Sequence, residues 1–266
     1  MLAQTSAATL AGGSAPNEDF YLVSNSWAVV LDGVTRYPDD GCVHDVPWYV
    51  AALGGALAER LSQPDRGLRS CLADAIEAVA DRHRATCDLA NRLSPAATVA
   101  IARFADDRFE WLVLGDAAVV WQVPGRSPQV ESDDRLGRLE DPPAPIDVGG
   151  IERYPTDYIA RVRNRPGGFW VASTDPEASR QARAGVLPAG ELETVGLFSD
   201  GLTRLVERYG RSWDDVLGTA AFDGVPGVLT QVREAENNDP EIRARAKRHD
   251  DATGVILRLV ITHRQP

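Results

Sequence analysis

Strand and helix periodicity fall in separate blocks along this chain, and that order narrows the fold more than any single motif. Residues 3–12 are small and partly β-branched, as in an edge strand. "FYLVSNSWAVVLDG" (20–33) reads as a hairpin around Ser24-Asn25. Its second strand, 27–31, is continuously apolar and therefore expected to be buried. Helical stripes follow: Tyr49, Leu53, Leu57 and Leu61 fall four apart behind Pro47, which suits a helix start. Leu68, Leu72, Ile76 and Val79 mark a second helix over 68–92. The short turn "SQPDRG" makes the two antiparallel neighbours. After Pro95, "ATVAIARF", "FEWLVLGD" and "AAVVWQV" predict an antiparallel meander. "GFWVAS", "ETVGLFSDG" and "ATGVILRLVIT" predict further strands, with helices near 152–163, in "LTRLVERYG" and on to about 247. Strands, helices, strands, helices and a last strand make a segregated α+β order, not the alternation of a parallel sheet.

Composition sets outer bounds. The 266 residues are 44% hydrophobic and 25% charged, enough for a large core, and no linker-like break divides them, so one domain over 1–266 is expected. A net charge of −11 argues against nucleic-acid and polybasic membrane partners. It does not argue against phosphate chemistry, because bound cations reverse a local field. Cys42, Cys71 and Cys87 are odd in number and form no C-x-x-C pair, which fits reduced thiols in a cytoplasmic protein. The N-terminus lacks a basic region and an apolar core, and no stretch reaches about 18 apolar residues, so neither a signal peptide nor a membrane span is expected.

Acids recur at strand ends. Asp32 and Asp200 each close an apolar run before a glycine; Asp19 and Asp250 each precede a strand, and Asp116 stands between two. One Asp-Gly alone is an ordinary turn. Several such acids are different, because neighbouring strand ends lie about 5 Å apart. Carboxylates gathered there repel and raise one another's pKa unless a positive charge sits between them. Oxygen ligands without Cys or His suit a hard cation, Mg²⁺ or Mn²⁺. Glycine after the acid lets the backbone approach such an ion.

In order, "NEDF" (17–20), "VVLDGV" (29–34), "LVLGDAAVVW" (112–121), "GLFSDGL" (196–202) and "HDDATGVIL" (249–257) resemble the motif series of the metal-dependent PP2C-type serine/threonine phosphatases, in a divergent bacterial form. The resemblance spans nearly the whole chain. It implies a four-layer αββα sandwich of two antiparallel sheets flanked by helices. It also implies that Asp32 bridges two ions, that the Gly33 carbonyl, Asp200 and Asp250 are direct ligands, and that Asp19 binds directly or through water. Asp116 matches an acid that can help hold a third ion. The implied reaction is in-line attack on phosphorus by a metal-activated water. The substrate is a phosphorylated protein or, alternatively, a small phosphate ester; a catalytically inactive binding module is the remaining reading.

The chain departs from the family in two places. The histidine that eukaryotic members keep after the metal-binding Asp is missing from Gly33-Val34-Thr35. Ser14 stands where the family's phosphate-gripping arginine falls, so Arg36, His44 and Arg248 become the candidate replacements. Phe169 and Trp170, in a segment that matches the family poorly, read as core. A haloacid-dehalogenase reading of the 29–38 stretch fails, because Val30 stands where that chemistry needs its nucleophilic Asp.

Overall fold

The computed structural model describes residues 2–148, 151–240 and 248–260. The chain opens with β1 (Leu2–Leu10), β2 (Phe20–Val23) and β3 (Trp27–Gly33), then α1 (Val46–Leu61) and α2 (Leu68–His83). Next come β4 (Ala97–Ala105), β5 (Arg108–Leu114), β6 (Ala118–Gln122), β7 (Gln129–Glu131), β8 (Ile146–Asp147), β9 (Glu152–Arg153) and α3 (Thr156–Val162). It continues through β10 (Arg183–Pro188), β11 (Thr194–Phe198), α4 (Asp200–Glu207), α5 (Trp213–Asn238) and β12 (Ala252–Val260).

Two antiparallel five-stranded sheets result, ordered β10-β5-β4-β3-β2 and β1-β12-β11-β6-β7. Their inner faces form one core, with Val30, Ala100 and Val113 on one side and Val119, Val195 and Val255 on the other. The outer face of the first sheet buries Val29, Leu31 and Ile101 against Tyr49, Leu53 and Leu57 of α1 and Leu72 and Ile76 of α2. On the second sheet, Val120, Phe198 and Ile256 pack against Leu202 and Leu205 of α4 and Val216, Val228 and Val232 of α5. The architecture is thus the expected αββα sandwich. It also explains the unbroken apolar run of β3, because alternate residues face a helix layer and the opposing sheet.

Local signals hold at the first helix. Asp45 caps α1, accepting the Trp48 N–H at 2.9 Å, and Pro47 lies in its first turn. Five expectations change. The meander breaks after β5, because Gly115 (φ +80°) turns the chain across to the other sheet, where β6 pairs with β11 and β7. The second helix stops at His83 rather than 92; the N–H groups of Thr86 and Cys87 both return to the His83 carbonyl at 3.0 Å. "GFWVAS" is no strand of either sheet; a single bridge joins Ala172 to Ala97, and Phe169 and Val171 pack with Tyr37, Ala96 and Ile159. Phe169 and Trp170 are buried, as expected of core. β10 lies in a stretch read without a strand. The helix expected to about 247 ends at Asn238, and residues 241–247 lie outside the described set. No helix among the described residues is long and apolar enough to cross a membrane.

Candidate metal centre

The strand ends of both sheets bring the acids together. β3 carries Asp32 to its end, opposite Thr98 of β4. Gly33 follows with no space for a side chain: a Cβ there would lie 2.4 Å from the Glu18 carbonyl oxygen, which accepts the Gly33 N–H at 3.1 Å. On the facing sheet β11 ends at Phe198, Ser199 occupies the N-cap position of α4, and Asp200 is the first helical residue. The Asp200 N–H donates to Asp32 Oδ2 at 3.3 Å, so the two Asp-Gly steps meet directly. Gly201 packs against the backbone before β12, where a Cβ would fall 1.9 Å from the Asp251 carbonyl oxygen.

The other acids are held by different means. Asp19 is buried; its Oδ2 accepts the Ser199 hydroxyl at 2.8 Å, and its Oδ1 is buried with no hydrogen-bond partner among the described residues. Asp116 sits at the crossing from β5 to β6. Asp250 is gripped from behind: Arg204 of α4 donates to its carboxylate and, at 3.3 Å, to the fully buried Glu236. Glu236 also takes Arg233 at 2.7 Å and His249 Nδ1 at 2.6 Å, and Arg233 donates to the Asp250 carbonyl at 2.7 Å. His249 is therefore occupied in this network. Asp251 was not singled out by the sequence. Its carboxylate accepts the N–H groups of Gly12 and Glu18, each at 2.7 Å, and so ties down the connection that carries Asp19.

Charge accumulates at this end of the molecule. Burial, followed by the fields of Asp200, Asp19, Asp116 and Asp250, pushes Asp32 well above the usual carboxylate range. Burial likewise lifts Asp19 to about 7, offset in part by hydrogen bonds and reinforced by Asp200 and Asp251. Asp116 is also pushed up to about 7, by burial first and Asp200 next. An all-oxygen donor set fits a hard divalent cation, which would relieve both the mutual repulsion and the unpartnered buried Asp19 oxygen.

Four of these acids, Asp32, Asp116, Asp200 and Asp250, line a cleft of about 580 Å³ together with Thr35, Tyr37, Arg153, Tyr154 and Phe169. None of the three candidate phosphate-binding residues lines it. Arg36 is engaged by the Asp40 carboxylate and the Cys42 carbonyl. His44 stacks on Trp48 with ring centroids 3.9 Å apart, beside a separate surface hollow. Arg248 is exposed. The cations that do reach the cleft include Arg153 and Arg208, neither singled out by the sequence. The Arg153 guanidinium lies 4.0 Å from the Tyr37 ring centroid and donates to the Thr35 and Val148 carbonyls, each at 3.2 Å.

The fold is that of the PP2C-type serine/threonine phosphatases. The chain superposes on the serine/threonine phosphatase PstP/Ppp of Mycobacterium tuberculosis with a TM-score of 0.61 and 16% identity over 97% of this chain and 99% of that one. Stp1 of Staphylococcus aureus, a serine/threonine phosphatase, gives 0.63 and 16% over 98% and 96%. The PstP catalytic domain in complex with two manganese ions gives 0.61 and 15% over 97% and 99%. No protein-family model and no curated protein sequence matches the chain.

Proposed function

We propose that this chain is a metal-dependent phosphatase that hydrolyses phosphate monoesters, with phosphoserine and phosphothreonine in proteins as its substrates. The observation that carries the reading is the convergence of Asp32, Asp116, Asp200 and Asp250 from separate strand boundaries on one cleft, with the buried Asp19 close enough to act on Asp32. Asp32, Asp200, Asp250 and the Gly33 carbonyl would hold two ions, Mn²⁺ or Mg²⁺, with Asp19 supporting them and Asp116 available to a third. Bound there, the ions supply a polarised water as nucleophile and offset the charge of the phosphate. The chain contributes the rest. The Glu236–Arg204 network orients Asp250, and Asp251 holds the Asp19 connection in place. Arg153 takes the phosphate-binding part for which the sequence offered Arg36, His44 and Arg248. It is pinned by two carbonyls and a ring, and two of its five N–H donors are used in those bonds.

A small phosphate ester is the second reading, favoured by a cleft volume of about 580 Å³, which lies within the small-ligand range. Chelator-treated protein resupplied with Mn²⁺ should hydrolyse an aryl phosphate and a phosphothreonine peptide, with higher kcat/KM for the peptide. A preference for small esters reverses the substrate assignment. No turnover with any divalent metal removes the enzyme reading.

A further inference from the structure

The loop after Gly33 lines the cleft with Thr35 and Tyr37, then runs on to the Asp45 cap of α1. Between those points it meets the end of α2, and three soft donors converge. Cys42 belongs to the loop, His83 is the last residue of α2, and Cys87 lies in the turn that follows. One donor atom from each lies within 4.8 Å of the other two. Cys42 Sγ and His83 Nδ1 are 3.4 Å apart.

The backbone sets this meeting. The Cys87 N–H closes a helical turn onto the His83 carbonyl at 3.0 Å, which puts the two side chains on one face. Cys42 is fixed by its N–H to Asp40 Oδ1 at 3.0 Å. The loop is tied across by the Asp88 N–H to the Gly41 carbonyl and by Asn91 Nδ2 to the Asp39 carbonyl, both at 2.8 Å. His83 is 1% exposed, and its Nε2 has no hydrogen-bond partner among the described residues. Nothing in the carboxylate centre uses these three residues.

We propose that Cys42, His83 and Cys87 form a zinc site, separate from the carboxylate centre, that staples the cleft loop to α2. With Zn–S near 2.3 Å and Zn–N near 2.0–2.1 Å, tetrahedral ligand atoms lie roughly 3.5–3.8 Å apart. The Cys42–His83 pair, 3.4 Å apart, is within about 0.1 Å of that spacing, and the set as a whole needs to close by about 1 Å at most. Two thiolates and an imidazole select a softer ion than five carboxylates do, so the two centres sort metals by ligand chemistry. Cys87 is only partly buried, which gives the ion a route in and leaves the fourth position to solvent. The staple joins positions about forty residues apart in sequence and holds the segment that carries Thr35 and Tyr37.

Cobalt(II) reports on this site specifically, because a thiolate–cobalt charge-transfer band cannot arise from carboxylates. The reduced, chelator-stripped full chain should develop that band with one equivalent of Co²⁺ and lose it on adding Zn²⁺. Asp32→Ala and Cys71→Ser should keep the band. Cys42→Ser and Cys87→Ser, each checked for folding by circular dichroism, should lose it, and Zn²⁺ affinity should fall by about a hundredfold or more. Zn²⁺ should raise the Tm of the native chain and of Asp32→Ala, but not that of the two serine variants. No band in the reduced native chain, or one that survives Cys42→Ser, overturns the proposal. A chain that shows no band but forms a Cys42–Cys87 disulfide on oxidation contains a redox pair in place of a metal site, and this too overturns it.

Discussion

Gly201→Ala asks whether close backbone approach, rather than turn geometry, explains the glycine after Asp200. Gly201 is helical, so alanine there brings a gain of up to about 1 kcal/mol from helix propensity alone. Packing opposes it. The new Cβ would stand 1.9 Å from the Asp251 carbonyl oxygen, 2.9 Å from its carbon and 3.2 Å from Ala252 Cα. All three atoms are backbone, so no flexible side chain can swing away. Asp251 is itself held by Gly12 and Glu18 through its carboxylate and by its own N–H to Asp250 Oδ1 at 3.1 Å. Relief therefore requires α4 and the start of β12 to part by more than about 1 Å, an overpacking cost of roughly 1–3 kcal/mol or more. The net effect should be destabilising, read as a lower urea midpoint in chelated protein. Mn²⁺ affinity should fall with it, because the same displacement separates Asp200 from Asp250. Gly190→Ala, with nothing within 4 Å of its added Cβ, serves as the control and should stay within about 0.5 kcal/mol of the native chain. A Gly201→Ala protein as stable as that control, or more stable, refutes the reasoning.

Three further outcomes follow from the same geometry. In metal-free protein Asp19 and Asp116, pushed up to about 7, keep protons that the unfolded chain has released from about pH 4 upward. Stability should therefore fall as pH rises through that window, and urea midpoints that rise instead contradict the burial argument. Asp251→Asn leaves one of two backbone N–H groups without its acceptor and should cost about 1.5–3 kcal/mol by urea unfolding; a loss within error means the Gly12 and Glu18 contacts are dispensable. Arg153→Ala should raise KM for an aryl phosphate about tenfold, roughly 1.4 kcal/mol, while Arg36→Ala leaves KM unchanged; the reverse pattern restores Arg36 as the phosphate-binding residue.

The layers and the acids were legible because their signals are local. An apolar run that ends in Asp-Gly marks both a strand end and an acid, as at Asp32 and Asp200, and Asp19, Asp116 and Asp250 stand at other strand boundaries. Sheet membership is not local: β5 and β6 have similar composition, and only the turn at Gly115 sends them to different sheets. Partner choice is hidden in the same way. Arg36 stands four residues after Asp32, yet Asp40, four residues further on, engages it. Arg153 reaches the cleft from more than a hundred residues away, carried by a segment whose packing against Tyr37 no periodicity announces. Asp251 was readable in part, as the second acid of "HDD", but its role rests on contacts with Gly12 and Glu18 across the whole chain.

The central claim is that the carboxylates at the strand ends are ligands of divalent cations. Anomalous diffraction at the manganese edge, from crystals soaked in Mn²⁺, examines it most directly. Two strong peaks should lie within bonding distance of Asp32, Asp200, Asp250 and the Gly33 carbonyl. Soaked crystals with no peak among these carboxylates, at a Mn²⁺ concentration that supports turnover, would contradict it.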